Sequence, residues 1–407
     1  MDSKSKINVI SFIVLVGFTT SIVYHYILGN FFKLSYPYNS FLFYPSNIFG
    51  DFTASLMQIK LPIPYEGGYG CVYFPFFYVF GKIFVILKLK ITLTIFLLVT
   101  SLIIFRLNLN TIKVGAIRIC DIQQSVILTF MSFPFLFCWD RGNFEILVLL
   151  LTYFSLSRYR NKDYYSAVLL LSLAAAIKPF VIFLMVLFIK DRKLKEVFLF
   201  LISLILISFL SLLLMRGTVA YNFKLLMNNL SYFQKILPFD LAGLGFNDFG
   251  NSIFSMLKFI YLITKNNLVL GMMARYYVLV VILFTIVTSC LLVFVKDLWK
   301  KTFLIFAMMC LLPYISPDYR LIYFIIPLHF FIQAPPTTKK MDNLFSILFS
   351  LIFIPKNYFC YLTRTGYNGV LFDPLIILIL SVLIIGQDFK GYQRANKLKI
   401  KSGIEGK

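Results

Sequence analysis

A polytopic bundle of membrane-spanning helices, all-α and without a large soluble module, is the fold class the sequence predicts. Three observations predict it. Of 407 residues, 60% are hydrophobic and only 14% are charged, whereas a soluble domain carries about 45–50% apolar and about a quarter charged residues. Mean hydropathy is +0.85. The apolar residues are gathered into runs, enough for about a dozen crossings at roughly 20 residues each. The same figures exclude a water-soluble enzyme, a disordered chain and a small disulfide scaffold.

Taken in order, the run Ile7–Leu28 is too long for a signal-peptide core and lacks a small-x-small cleavage site. It reads as a retained first span with a cytoplasmic N-terminus. Residues 30–68 form an aromatic-rich segment that holds Asp51. Residues 69–90 are apolar but interrupted by Pro75, Gly81, Lys82, Lys88 and Lys90. This segment reads as a kinked juxtamembrane helix on the outer face, because a full crossing here would carry the basic stretch 106–118 to the outside. Further crossings are expected at 91–105, 121–138, 143–157, 163–177, 179–189, 195–214, 272–295, 302–316, 319–333, 343–355 and 369–386. With the first span these make about 12 transmembrane helices. Both termini are then cytoplasmic, the outer loops are 30–90 and 215–271, and the cytoplasmic tail is 387–407. No repeat of 20–50 residues recurs, so residues 1–407 form one integral membrane domain.

The net charge of +22 fits a membrane protein better than a nucleic-acid binder, because short cytoplasmic loops concentrate Lys and Arg. The densest clusters are Arg158–Lys162 and Lys190–Lys195, and both are assigned to the cytoplasm. Six scattered cysteines and two distant histidines, His25 and His329, supply no metal-ligand spacing and no disulfide framework. No metal and no cofactor is expected.

A depth argument singles out Lys178. Residues 163–189 lie between the two densest basic clusters, and a helical hairpin of that length reaches only ~20 Å. A hydrocarbon core is ~30 Å thick. The tip, Lys178-Pro179, therefore falls within the membrane zone, where a charge and a broken backbone persist only beside protein or water. The other outer-side acids are Asp51, Glu66, Asp140, Glu145, Asp240, Asp248, Asp318 and Asp373. The basic residues facing them include Arg141, Arg216, Arg275, Arg320 and Arg364. Taken singly, each has an ordinary structural explanation as a loop charge, a helix cap or a turn. Their gathering on one face is the stronger signal.

The order of motifs adds to this reading. Gly50-Asp51-Phe52 follows the first span, and the aromatic-Pro segment Val72-Tyr-Phe-Pro-Phe-Phe77 comes next. Trp139-Asp-Arg-Gly-Asn143 runs into an apolar helix, and Leu173-Ala-Ala-Ala-Ile-Lys-Pro-Phe180 precedes a basic loop. Phe246-Asn-Asp-Phe-Gly-Asn-Ser-Ile253 and Ile315-Ser-Pro-Asp-Tyr-Arg-Leu321 complete the series. This series resembles the membrane-embedded GT-C glycosyltransferases, and most of all glycosyltransferase family 87, the polyprenyl-phosphate-mannose-dependent mannosyltransferase-like proteins. The resemblance implies a GT-C-like fold and an outward-facing site. It also implies transfer of a hexose, mannose in the family, from a polyprenyl-phosphate sugar to a lipid or glycan acceptor, with inversion. By position Asp51 is implied as the general base. Lys178, Arg320 and Arg141 are the expected donor-phosphate ligands. Asn143, Asp140, Asp318 and Tyr319 are expected to orient sugar and acceptor, and Phe74, Phe76 and Phe77 to line a groove for the polyprenyl tail. Membrane lipids are the expected surroundings, in a bacterial cytoplasmic membrane first and the endoplasmic reticulum second. The alternative is a lipid-linked sugar flippase or transporter using the same charges for passage. No inverted repeat and no matched pair of broken helices supports it.

Overall fold

The computed structural model describes residues 2–68, 70–113, 115–235, 250–264, 267–358 and 369–404. Asp240, Asp248, Arg364, Cys360 and the first half of the 246–253 motif lie outside them. Among the described residues the architecture is helical, with one isolated bridge between Gly250 and Pro317.

The chain opens with α1 (Ser3–Asn30), capped by the Asp2 side chain on the Ser5 amide. The short α2 (Gly50–Lys60) and α3 (Pro75–Phe80) follow, then α4 (Leu89–Ile112). The segment expected to lie as a kinked helix is α3 continued by a 3-10 turn, Gly81–Val85. Helices α5 (Ile119–Phe130) and α6 (Phe133–Arg141) are one apolar passage bent by 54° at Met131-Ser132. Pro134 explains the break, since its ring and missing N–H are tolerated only in a first helical turn.

Helices α7 (Glu145–Arg160) and α8 (Tyr164–Ile177) pack as an antiparallel pair. Ala167, Ala174 and Ala175 are fully buried on α8, and such small side chains let neighbouring helices approach closely. Helix α8 stops at Lys178, whose backbone is extended (φ −137°, ψ 116°), because Pro179 disfavours the helical region for the residue before it. A 3-10 turn over Pro179–Leu184 leads into α9 (Met185–Lys190). The hairpin tip is therefore where the sequence predicts it.

Next come α10 (Leu194–Leu213), α11 (Val219–Lys235), α12 (Ile253–Thr264) and α13 (Asn267–Leu291). The last four are α14 (Leu298–Leu311), α15 (Ile325–Gln333), α16 (Lys339–Phe353) and α17 (Gly369–Ile404). Helices α1, α4, α10 and the first part of α17 are long and apolar enough to cross a membrane, and the α5–α6 pair makes a fifth passage. Other apolar runs are shorter helices. Helix α14 has 14 residues, nearly all buried, and a helix of that length is only ~21 Å long.

Three lysines serve as caps. Lys6 Nζ donates to Phe331 O and Ala334 O at the end of α15, at 3.1 and 3.2 Å. Lys190 Nζ donates to Leu292 O and Val295 O, just past α13. Lys356 Nζ donates to Leu351 O and Ile354 O where α16 ends. The last carbonyls of a helix lack intrahelical donors and sit at the negative end of its dipole, so an ammonium satisfies both needs. Sequence reasoning assigns Lys190 to a cytoplasmic charge cluster, leaves Lys6 in the cytoplasmic N-terminus, and misses this use.

Asp318 sits in a second internal device. Its Oδ1 accepts from Asn251 Nδ2 at 2.8 Å and its Oδ2 from Asn357 Nδ2 at 3.3 Å. Asn251 N donates to Ser316 O at 2.7 Å, and the neighbouring Lys356 pairs with Asp373 at 2.8 Å. One carboxyl thus joins the 250–252 strand-like segment, the 316–318 turn and the end of α16. Asp318→Ala removes the acceptor shared by Asn251 and Asn357 and is expected to lower stability by about 1–3 kcal/mol. Melting curves of both proteins in detergent test this, and an unchanged melting temperature removes the clamp.

Candidate active site

Four chain segments meet at one end of the bundle: the start of α2, the α6–α7 turn, the α8–Pro179 break and the turn before α15. Each is set in place by local chemistry. Phe49 N donates to Asp140 O at 2.7 Å, tying the start of α2 to the end of α6. Gly142 ends α6 in the left-handed region (φ +59°), and a Cβ there would lie 2.8 Å from Phe52 Cβ. Only glycine meets both conditions without strain. Beneath the turn, Phe144 is fully buried against Phe52, Phe77, Phe84 and Phe96, with ring centroids 5.1–5.2 Å away. This cluster pins the backbone of the Trp139–Asn143 motif to α2, α3 and α4.

Asp51 lies in the first turn of α2, where a carboxylate is favoured by the helix dipole. Its Oδ1 pairs with Arg141 Nη2, and its Oδ2 accepts from Asn143 Nδ2 at 2.6 Å. Arg141 also donates to Asn47 O at 2.9 Å and lies over the Phe43 ring at 4.1 Å. Asn143 Oδ1 accepts the Glu145 amide at 2.9 Å, so one side chain both orients Asp51 and starts α7.

Glu145 is the site residue that sequence reasoning misses. It appears there among the outer-side acids without a role. In the structure it is completely buried and forms an ion pair with Lys178 Nζ. Lys178 lies 4.9 Å from the Tyr73 ring centroid and 5.5 Å from that of Tyr319. Tyr73, inside the aromatic-Pro segment, is a second missed member. The available signal was spacing: Glu145 follows Asn143 by two residues and is the sole charge at the head of an apolar helix.

Exposure separates the two carboxylates. The Asp51 side chain is 27% exposed and that of Glu145 0%. Solvent therefore reaches Asp51 and not Glu145. Lys178 and Arg141 are nearly buried, each with an edge open.

The structure thus brings Asp51, Arg141, Asn143, Lys178 and Tyr319 into one cluster. Arg320 stands in the next layer, over the Phe180 ring at 4.9 Å with Nη1 donating to Ile315 O at 3.2 Å. Asp140 contributes its carbonyl to Phe49 while its carboxyl is buried with one oxygen unpartnered. Asp318 is turned into the clamp described above, both oxygens occupied by Asn251 and Asn357. Of the three phenylalanines expected along a lipid groove, Phe77 is buried between Tyr73 and Phe144. Among the described residues no three His, Cys, Asp or Glu side chains converge as a metal site would require.

The sequence model of glycosyltransferase family 87 matches residues 72–317, well over half of the chain. That stretch includes Arg141, Asn143, Glu145 and Lys178. Asp51 precedes it, and Tyr319 and Arg320 follow directly after it. No curated protein and no solved structure matches the chain. With long apolar helices fit for a membrane and most of the polar cluster inside the matched stretch, the chain belongs to glycosyltransferase family 87.

Proposed function

We propose that the Asp51 centre moves a hexose, mannose by family resemblance, from a polyprenyl-phosphate sugar to a hydroxyl of a lipid or glycan acceptor, with inversion and without a metal. The observation that carries this reading is one partly exposed carboxylate beside two nearly buried cations. The acceptor oxygen forms its bond to the anomeric carbon while the bond from that carbon to the phosphate oxygen breaks. Asp51 takes the hydroxyl proton. The polyprenyl phosphate departs with the bonding electrons, and Arg141 and Lys178 stabilise the charge it gains.

Both cations are already paired before donor arrives. The donor phosphate draws Arg141 from Asp51 and shares Lys178 with Glu145. Release from Arg141 frees Asp51 Oδ1 to accept from the acceptor hydroxyl at the moment the donor is seated. Asn143 keeps the carboxylate oriented, and Tyr319 and Tyr73 are the nearest rings for the sugar. The cluster of Lys and Arg in loops that share one side of the predicted passages supports 12 crossings, cytoplasmic termini and an outer-face site.

Two experiments test the reading. Asp51→Asn is expected to lower transfer from a panel of polyprenyl-phosphate sugars by about 10²–10⁴-fold, with donor binding retained. Equal turnover in both proteins removes Asp51 from the mechanism. Lys178→Met leaves Glu145 as an uncompensated buried charge and is expected to lower stability by about 3–5 kcal/mol. Adding Glu145→Gln is expected to restore most of the thermal stability and none of the turnover. Recovery of turnover in the double variant shows that Lys178 serves structure alone.

A further inference from the structure

A second cationic feature lies apart from the Asp51 centre. A cavity of about 260 Å³ opens between the end of α2, the 3-10 turn Gly81–Val85 and the end of α10. Lys60, Lys82 and Arg216 line it, and all three side chains belong to exposed residues. None of them forms an ion pair with an acid among the described residues. Apart from Tyr78 the rest of the wall is apolar, with Ile59, Pro64 and Met215 among its members. Three cations from three elements, converging without a counter-ion, call for an anion.

The surroundings identify the kind of anion. Helix α10 is long and apolar enough to cross a membrane, and the cavity sits at its C-terminal end, hence at a membrane–water interface. Ile83, Ile86, Leu213 and Leu214 are large apolar residues exposed beside it. A cationic pocket above exposed aliphatic side chains matches a lipid, with its phosphate above and its acyl chains below. At ~30 Å³ per water volume, the cavity holds a phosphodiester with its first headgroup atoms. Lys60 is nine residues along α2 from Asp51, about 14 Å, so this phosphate is not the donor phosphate of the Asp51 centre.

We infer that the Lys60–Lys82–Arg216 pocket seats the headgroup phosphate of an anionic membrane lipid. The inference is independent of the transfer reaction, and its readout is lipid retention. Native mass spectrometry of the delipidated full chain is made with phosphatidylglycerol and with a glucosyl diacylglycerol of the same acyl chains. Phosphatidylglycerol is expected to bind the wild type in preference, and roughly 100-fold more weakly when Lys60, Lys82 and Arg216 are all changed to Gln. The charge-keeping set Lys60→Arg, Lys82→Arg, Arg216→Lys is expected to retain it. Equal retention by the Gln variant overturns the site. An equal loss from changing Arg158, Arg192 and Lys195 to Gln also overturns it, because surface charge alone then explains binding. Glucosyl lipid held as well as phosphatidylglycerol removes the phosphate. Displacement by inorganic phosphate at the lipid's own concentration makes it a free-anion site and removes the lipid.

Discussion

The pairing of Asp51 with Arg141 is the interaction on which the rest of the site depends. A partly buried ion pair repays its desolvation only if its remaining donors and acceptors are satisfied. Here both Asp51 oxygens have donors, from Arg141 and Asn143. Arg141 in turn has the Asn47 carbonyl and the Phe43 ring. Holding these groups in register requires α2 and the α6–α7 turn to be in contact. That contact explains the left-handed Gly142, the Phe49–Asp140 backbone bond and the aromatic cluster around Phe144. Each is a means of fixing one carboxylate against one guanidinium.

Beside this pair stands a second one of opposite accessibility, Glu145 with Lys178. The motif from Asp140 to Glu145 supplies the cation for Asp51 and the anion for Lys178, so one six-residue stretch balances the charge of two other segments. The resting cluster carries two negative and two positive groups and needs no bound ion to be neutral. Each charge is held by a partner from a different chain segment, Asp51 by Arg141 and Glu145 by Lys178. The buried Glu145 keeps Lys178 in place, while one edge of Asp51 stays exposed.

Much of this was legible in the sequence. The helical membrane class follows from composition, the break at Lys178 from the Lys-Pro step and the length of 163–189, and the cluster members Asp51, Arg141, Asn143 and Tyr319 from their motifs. What was hidden depends on three-dimensional partners. Glu145 reads as one acid among several until α8 delivers Lys178 to it. Asp318 reads as a site residue from its Ser-Pro-Asp-Tyr-Arg turn, and only the approach of Asn251 and Asn357 shows it joined to a structural clamp. The lysine caps are invisible because their acceptors, the last carbonyls of distant helices, leave no mark on the sequence. Hydropathy likewise counts apolar runs without distinguishing a lipid-facing passage from a helix enclosed by its neighbours, and α14 is of the second kind.

Helix length connects the fold to the site. Helices α8 and α14 each have 14 residues, about 21 Å against a ~30 Å hydrocarbon core. Neither is long enough to cross the core alone, and the turns that follow them carry Lys178 and the Asp318–Arg320 stretch. Irregular backbone among apolar helices is stable only where protein or water satisfies it. The Phe74 amide on the Ile177 carbonyl at 3.1 Å and the Asn251 amide on the Ser316 carbonyl at 2.7 Å do so here. Shortening the helices and bonding their broken ends to neighbouring segments thus makes room for a polar cluster between apolar walls. The short buried helices that blur the count of crossings are therefore what leaves space for the Asp51 centre.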